Sequence, residues 1–198
     1  YDYMMNGIKD ASNEDLIILS DNDEIPNLDS KKFSSTNKDI IIFKQLFFYY
    51  KFNLLYDRMF WHGSKACKKK KLLSMSWLRN LKSKKYPFWR LDTIFSKTKY
   101  RNIEIIEDGG WHFTNVKTPE DLYEKMINFG HHDEFKESGL NIEDIRKKII
   151  NHELFYDHTL DRSSNNKWTS NYKLKKIQLD KLPKYIENNK SILNKWLV

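Results

Sequence analysis

The chain has a single cysteine, Cys67. An intramolecular disulfide is therefore impossible, and so is a zinc site built on cysteines of this chain. No apolar run approaches the ~20 residues that a membrane-spanning helix needs. The first ten residues carry neither a basic start nor an apolar stretch of the length a secretory signal uses. One cysteine and no visible signal favour a reducing, cytoplasmic setting. Internal repeats are missing, and no Pro-, Gly- or Ser-rich stretch marks a linker.

What is present is a chain of 198 residues, 39% hydrophobic and 15% aromatic, which is enough to bury a core and excludes a disordered chain. Lysine and arginine number 35 against 27 acidic residues, a net charge of +8. That balance favours anionic partners: polyanions, phosphorylated small molecules or an anionic membrane surface. The densest basic run, Lys68–Lys71, has no interleaved aromatics. A single-stranded nucleic-acid groove needs them for base stacking, so nucleic acid is not the expected partner.

The patterning alternates strands and helices. Residues Glu14–Ser20 (EDLIILS) read as a strand covered on both faces, and Asp39–Phe52 as one or two β-branched and aromatic strands. Arg101–Phe113 reads as strand, Gly-Gly break, strand. Helices are expected at Leu28–Phe33, at Ser74–Leu81 and after Thr118, where Pro119, Glu120 and Asp121 suit a first turn. Two more follow: one capped by Asn141 and one over Leu182–Leu197. Tyr1–Ser12 reads as a helix end with Tyr3, Met4 and Ile8 on one face. Mixed elements of this kind predict one α/β unit.

Three constellations carry chemistry. In "LSDNDEIP", Asp21 and Asp23 follow an aliphatic strand, and open α/β sheets bind ligands at that edge. If the chain leaves the sheet extended, alternate residues point to one site and present two hard oxygen ligands to Mn²⁺ or Mg²⁺. A solvated turn is the plainer reading. In "GGWHF", Gly109 and Gly110 permit close backbone approach, Trp111 offers a stacking face and His112 a metal ligand. The plainer reading there is a bulged strand with a core Trp and a satisfied His. In "GHHDEF", His131, His132, Asp133 and Glu134 offer a ligand or a base, or simply a solvated helix end. "WHGSK", Trp61–Lys65, could line a pocket, although a turn suffices to explain Gly63.

The order of these pieces resembles glycosyltransferase family seventeen. The series is an aliphatic strand, "SDNDEIP", the aromatic "FFYY" strand, "DGGWHF", "TPEDLYEKMINFGHHDEF" and a late "LPKYIENNKSIL". The likeness runs from about Gly7 to the end of the chain. It implies a GT-A-like α/β fold, a mixed sheet flanked by helices, and an inverting transfer of a sugar, N-acetylglucosamine in most of the family. The donor is a UDP-sugar and the acceptor a glycan hydroxyl. Asp21 and Asp23 match the family's Asp-x-Asp, Glu24–Pro26 its Glu-Ile-Pro, and Gly110–Phe113 its Gly-Trp-His-Phe. On that likeness Asp21, Asp23 and His112 hold Mn²⁺ or Mg²⁺. Asp21, Asp23, Gly110 and Trp111 bind the UDP-sugar. Asp108, Glu24 and Glu134 are the candidate bases, in that order. Trp61 and Trp111 form platforms for sugar faces. The Asp-x-Asp arrives early, at residue 21, and no methionine opens the chain. The expectation is therefore the C-terminal part of a longer enzyme, lacking the N-terminal nucleotide-binding half, with Leu16–Leu19 in the interior of its sheet. Peripheral membrane association is compatible with the charge. The rival readings are a metal-dependent phosphohydrolase and a basic module that binds polyanions or nucleic acid.

Overall fold

The computed structural model describes residues 2–130, 132–160, 165–168 and 170–198. Its strands are β1 (Leu16–Leu19), β2 (Glu24–Pro26), β3 (Ile40–Phe43), β4 (Leu46–Tyr49), β5 (Leu54–Leu55), β6 (Lys65–Lys68), β7 (Ile103–Ile106), β8 (Gly110–Thr114) and β9 (Lys175–Lys176). Its α-helices are α1 (Lys31–Ser35), α2 (Met75–Asn80), α3 (Asp92–Phe95), α4 (Pro119–Asn128), α5 (His132–Glu137), α6 (Ile142–Ile150) and α7 (Lys184–Asn188). The fold is α/β, with mixed pairing and flanking helices. The chain gathers into two compact units, one of Tyr1–Leu46 with Phe60–His112, the other of Phe47–Met59 with Phe113–Val198.

The first unit is built on a four-stranded sheet in the order β1-β6-β3-β7. β6 runs antiparallel to both β1 and β3, while β3 and β7 are parallel. Strand periodicity sorts the side chains. Ile17, Leu19, Ile40, Ile42, Cys67 and Ile103 bury one face with Met75 and Leu78 of α2. Ile41, Phe43, Ala66 and Ile106 bury the other, with Ile18 and Phe33 packed against them. Each such Ile, Leu, Phe or Met side chain contributes about 1.5–3 kcal/mol when fully buried. The strand "LIIL" is covered on both faces as its composition predicts, apart from exposed Leu16. It is nevertheless an edge strand and not an interior one, because only β6 pairs with it in this sheet. Burial pushes the Cys67 thiol up to about 11, so it is a packing residue.

The second unit has an aromatic core of Phe47, Tyr49, Tyr50, Tyr56, Phe135, Phe155 and Trp168, against which Leu122 and Met126 of α4 and Ile145 of α6 pack. The capping signals act as expected. The Thr118 side chain accepts from the Asp121 amide. Asn141 and Asp144 form a reciprocal capping box. β5 pairs with both β4 and β9.

Three expectations about elements change. The C-terminal stretch is not one helix over Leu182–Leu197. α7 ends at Asn188, and a 3₁₀ turn at Asn194–Trp196 follows. Asn188 and Asn189 are poor helix formers whose side chains compete for backbone groups. The N-terminal segment Asp2–Ile8 is 3₁₀ rather than α. Its inward residues are Met5 and Ile8, three apart as a 3₁₀ repeat requires, while Tyr3 is 90% exposed. Helix α1 begins at Lys31 rather than Leu28.

Asp157, buried in the second unit, makes a local prediction. Its Oδ1 accepts from Tyr56 Oη at 2.5 Å, and from the Thr159 amide and hydroxyl at 3.0 and 2.6 Å. Its Oδ2 accepts from Arg58 at 3.0 Å. Burial alone would raise its pKa, but these donors outweigh burial and hold it below the usual aspartate value. A depressed folded value means stability that is present above the unfolded pKa of ~3.9 and lost as pH falls through the folded one. Asp157→Ala is expected to cost roughly 2–4 kcal/mol at neutral pH. It should also flatten the acid limb of a urea-melt series between pH 5 and 3 relative to wild type. An unchanged acid limb would remove this carboxylate from the explanation.

Candidate functional site

The stretch Asp21–Glu24 is a tight turn, with the Glu24 amide donating to the Asp21 carbonyl at 3.1 Å. It leads the chain from β1 into β2. The geometry separates the two aspartates. Two residues apart on an extended strand they would share a face; on a turn they do not. Asp21 instead meets Arg79, whose Nη1 lies 2.5 and 2.7 Å from its two oxygens. Asp23 swings towards His112, with Oδ1 3.8 Å from Nδ1.

β2 is short, but its partner determines what it carries. It runs antiparallel to β8 in the register Glu24 with His112, Ile25 with Trp111, and Pro26 with Gly110. Directly opposed residues put their side chains on the same face. Glu24 and His112 therefore meet on the buried face, and Ile25 and Trp111 lie on the other. Gly110 makes the pairing possible. Its φ is +112°, and a Cβ there would lie 2.1 Å from the Ile25 carbonyl oxygen.

One carboxylate oxygen of Glu24 accepts from Trp61 Nε1 at 2.6 Å. The other accepts from the Ser64 hydroxyl at 3.2 Å and the Asp21 amide at 3.1 Å. Ser64 is held in turn by Ser20, hydroxyl to hydroxyl at 2.6 Å, and by Gln45 Nε2 at 3.1 Å. The Trp61 ring also stacks on the His112 ring, with centroids 4.6 Å apart and planes 15° apart. A paired backbone bridge between Gln45 and Trp61 fixes that indole. Gly63 leaves the space the carboxylate occupies: a Cβ there would lie 1.7 Å from Glu24 Oε1 and 2.4 Å from Trp61 Nε1.

The outcome is a cluster of Asp23, Glu24 and His112 in which one ligand atom from each lies within 4.8 Å of the others. Atoms bound to one ion at ~2.0–2.6 Å are at most roughly 4–5 Å apart, so the three fit around a single divalent cation. Among the described residues it is the cluster of three such side chains with this property. Basic groups stand close by. Lys65 is buried, donates to the carbonyls of Arg79 and Leu81 at 2.5 and 2.7 Å, and is lowered to about 8, mainly by burial and also by Arg79.

The other sequence candidates lie elsewhere. Asp108 is exposed at the β7–β8 turn, where Ser30 donates to its carboxylate at 2.7 Å. Trp111 is half-buried, and its carbonyl accepts from Gln45 Nε2 at 3.4 Å. Glu134 belongs to the second unit and pairs with Lys167 at 2.6 Å. His132 accompanies it on α5, its Nε2 3.1 Å from Asp133. His131 lies outside the described residues. The structure thus joins the side chains of Asp23, Glu24 and His112, while the carboxylates of Asp21, Asp108 and Glu134 are engaged by Arg79, Ser30 and Lys167.

No family model, no curated protein and no solved structure matches this chain. Chemical inference therefore rests on the cluster itself and on the residues that build it.

Sequence reasoning did not assign Trp61, Ser64 and Gly63 their part in this site. The run "WHGSK" held the signal, since a Gly between a Trp and a Ser puts a gap beside two donors. The acceptor that fills the gap is remote in sequence.

Proposed function

We propose that Asp23, Glu24 and His112 hold a divalent cation, and that the chain belongs to a metal-dependent glycosyltransferase using a UDP-sugar, N-acetylglucosamine as first choice, with a glycan hydroxyl as acceptor. The observation that carries the metal half is the convergence of three ligand atoms within 4.8 Å. The transferase half is supported by the order of motifs in the sequence. Two carboxylates and an imidazole suit Mn²⁺ better than Mg²⁺, which prefers oxygen ligands alone. When bound, such an ion supplies Lewis-acid stabilisation of the charge that develops on a departing diphosphate. The protein's part is positional. Trp61 and Ser64 orient the Glu24 carboxylate, Trp61 packs the imidazole flat, and the Arg79 pair holds the turn that delivers Asp23. Glu24, held by its three donors, is given the ligand role. Asp108, exposed beside the glycines, is the carboxylate assigned to take the acceptor proton.

A thermal-shift screen of UDP-sugars with and without Mn²⁺ tests this reading. A ligand at a hundred times its Kd stabilises by about 2.7 kcal/mol. UDP-N-acetylglucosamine is expected to raise the midpoint in the presence of Mn²⁺ only. Mn²⁺ binding with no response to any UDP-sugar would keep the metal site and reject the transferase. Release of inorganic phosphate from a nucleotide without an acceptor would make the protein a phosphohydrolase instead.

A further inference from the structure

The most exposed apolar surface of the first unit is concentrated in eight consecutive residues. Phe88, Trp89, Leu91, Ile94 and Phe95 are each between 63% and 87% exposed. Folded proteins rarely leave this much aromatic and aliphatic surface together without a use. The segment is also built to present it. Thr93 is buried and donates to the Arg90 carbonyl at 2.6 Å. Arg101 reaches back to donate to Thr93 Oγ1 and to the same carbonyl, both at 2.7 Å. Asp92 is tied at 2.7 Å to both Arg90 and Lys99. The indole of Trp77 holds the Lys97 carbonyl at 2.7 Å. Thr93 and the carbonyls of Arg90 and Lys97 are thus tied down, and the five large side chains remain outside.

The charge around them is one-sided. Residues 82–101 contain seven basic side chains (Lys82, Lys84, Lys85, Arg90, Lys97, Lys99 and Arg101) against one acid, Asp92, which is +6 of the chain's +8. That acid is already neutralised by two of the cations.

We infer that residues 82–101 are a peripheral membrane-docking surface, inserting Phe88, Trp89, Leu91, Ile94 and Phe95 into the interfacial region of an anionic bilayer while the flanking lysines and arginines meet its headgroups. Charge complementarity selects this occupant. A second copy of the same face would bring two net-basic surfaces together, since Glu104, outside the segment, offsets Lys85 but leaves the other lysines in excess. Nucleic acid would satisfy the cations and stack on the rings but would leave Leu91 and Ile94 without an apolar partner. A lipid interface accepts all three kinds of side chain, with Trp and Phe at the boundary, aliphatics below it and basic groups above. Insertion stays shallow. α3 has four residues, and among the described residues no helix is long and apolar enough to cross a membrane. The inference is independent of the metal-site reading.

Co-sedimentation with vesicles tests it. The protein is expected to pellet with phosphatidylcholine–phosphatidylserine vesicles, weakly with phosphatidylcholine alone, and less as salt rises. Trp89→Ser with Phe95→Ser should lower the partition coefficient about tenfold or more. Both residues are exposed, so the melting midpoint and Mn²⁺ binding of that variant should match wild type. Brominated acyl chains should quench the tryptophan emission of vesicle-bound wild type, and Trp89→Phe should remove most of that quenching while leaving binding largely intact. No binding to anionic vesicles would overturn the inference. So would vesicle binding that the double variant leaves unchanged, or binding of the patch to RNA or to a second copy with vesicles ignored.

Discussion

Gly63→Ala is expected to dismantle the cluster by displacing Glu24, although the substitution adds one carbon. The added methyl would lie 1.7 Å from Glu24 Oε1 and 2.2 Å from its Cδ, far inside contact distance. The backbone has no need of glycine here, since Gly63 is not among the residues with positive φ. The demand is purely for space. Glu24 must then leave, and Trp61 Nε1, the Ser64 hydroxyl and the Asp21 amide lose their shared acceptor. Overpacking and lost acceptors together should cost roughly 2–4 kcal/mol of stability. Metal affinity should fall with them, because Glu24 is one of the three ligands. Glu24→Ala in the Gly63→Ala background removes the clash with the carboxylate and leaves the one with Trp61 Nε1, at 2.4 Å. The double variant should therefore be less destabilised than the sum of the two singles, with a coupling of about 1 kcal/mol or more, while still failing to bind Mn²⁺. Urea melts of the four proteins measure the coupling. Strict additivity, or a Gly63→Ala protein with wild-type midpoint and metal binding, would show that the carboxylate is not where it is placed here.

The second large effect separates two aspartates that the sequence presents as equals. Asp23→Asn and His112→Phe are each expected to weaken Mn²⁺ binding by more than roughly 100-fold, beyond what loss of a supporting contact costs. Phenylalanine at 112 keeps a ring for Trp61 to stack on, so its stability loss should be modest. Asp21→Asn should weaken Mn²⁺ binding by no more than roughly 10–100-fold, as loss of a supporting residue does, because the Asp21 carboxylate faces Arg79 and not the cluster. Isothermal titration of the three variants reads this directly. An Asp21→Asn loss as deep as that of Asp23→Asn would restore both aspartates as ligands.

Much of the scaffold was legible because local physics dictates it. "LIIL", "IIIF" and "IEII" have no option but buried strands, and they form β1, β3 and β7. Thr118 with Pro119, and Asn141 with Asp144, announce helix starts by hydrogen bonds within four residues, and both form. The site was half legible. The Gly-Gly before Trp111 and His112 signalled close approach of another backbone: β2 lies against Gly110 and the Lys44 backbone against Gly109. Asp-x-Asp shares one face only along an extended strand, whereas the chain turns at Asp21–Glu24 and sets Asp21 on Arg79. Glu24 was noticed as a base and not as a ligand, since its placement depends on register with a strand far along the chain. Ser64 and Gly63 stand in a run that offers a gap beside two donors, but only the folded position of Glu24 shows what fills it. The C-terminal helix expected over Leu182–Leu197 stops at Asn188, where two adjacent asparagines disfavour its continuation.

The central claim is that the turn before β2 and the start of β8 together form one metal site. Its most direct test is a Mn²⁺ titration of the wild-type protein followed by electron paramagnetic resonance. The prediction is saturation at one ion per chain, with electron spin-echo modulation from a directly bound imidazole nitrogen that disappears in His112→Phe. A Mn²⁺ spectrum that stays that of the free aqueous ion, or a bound ion whose nitrogen modulation survives His112→Phe, would contradict it.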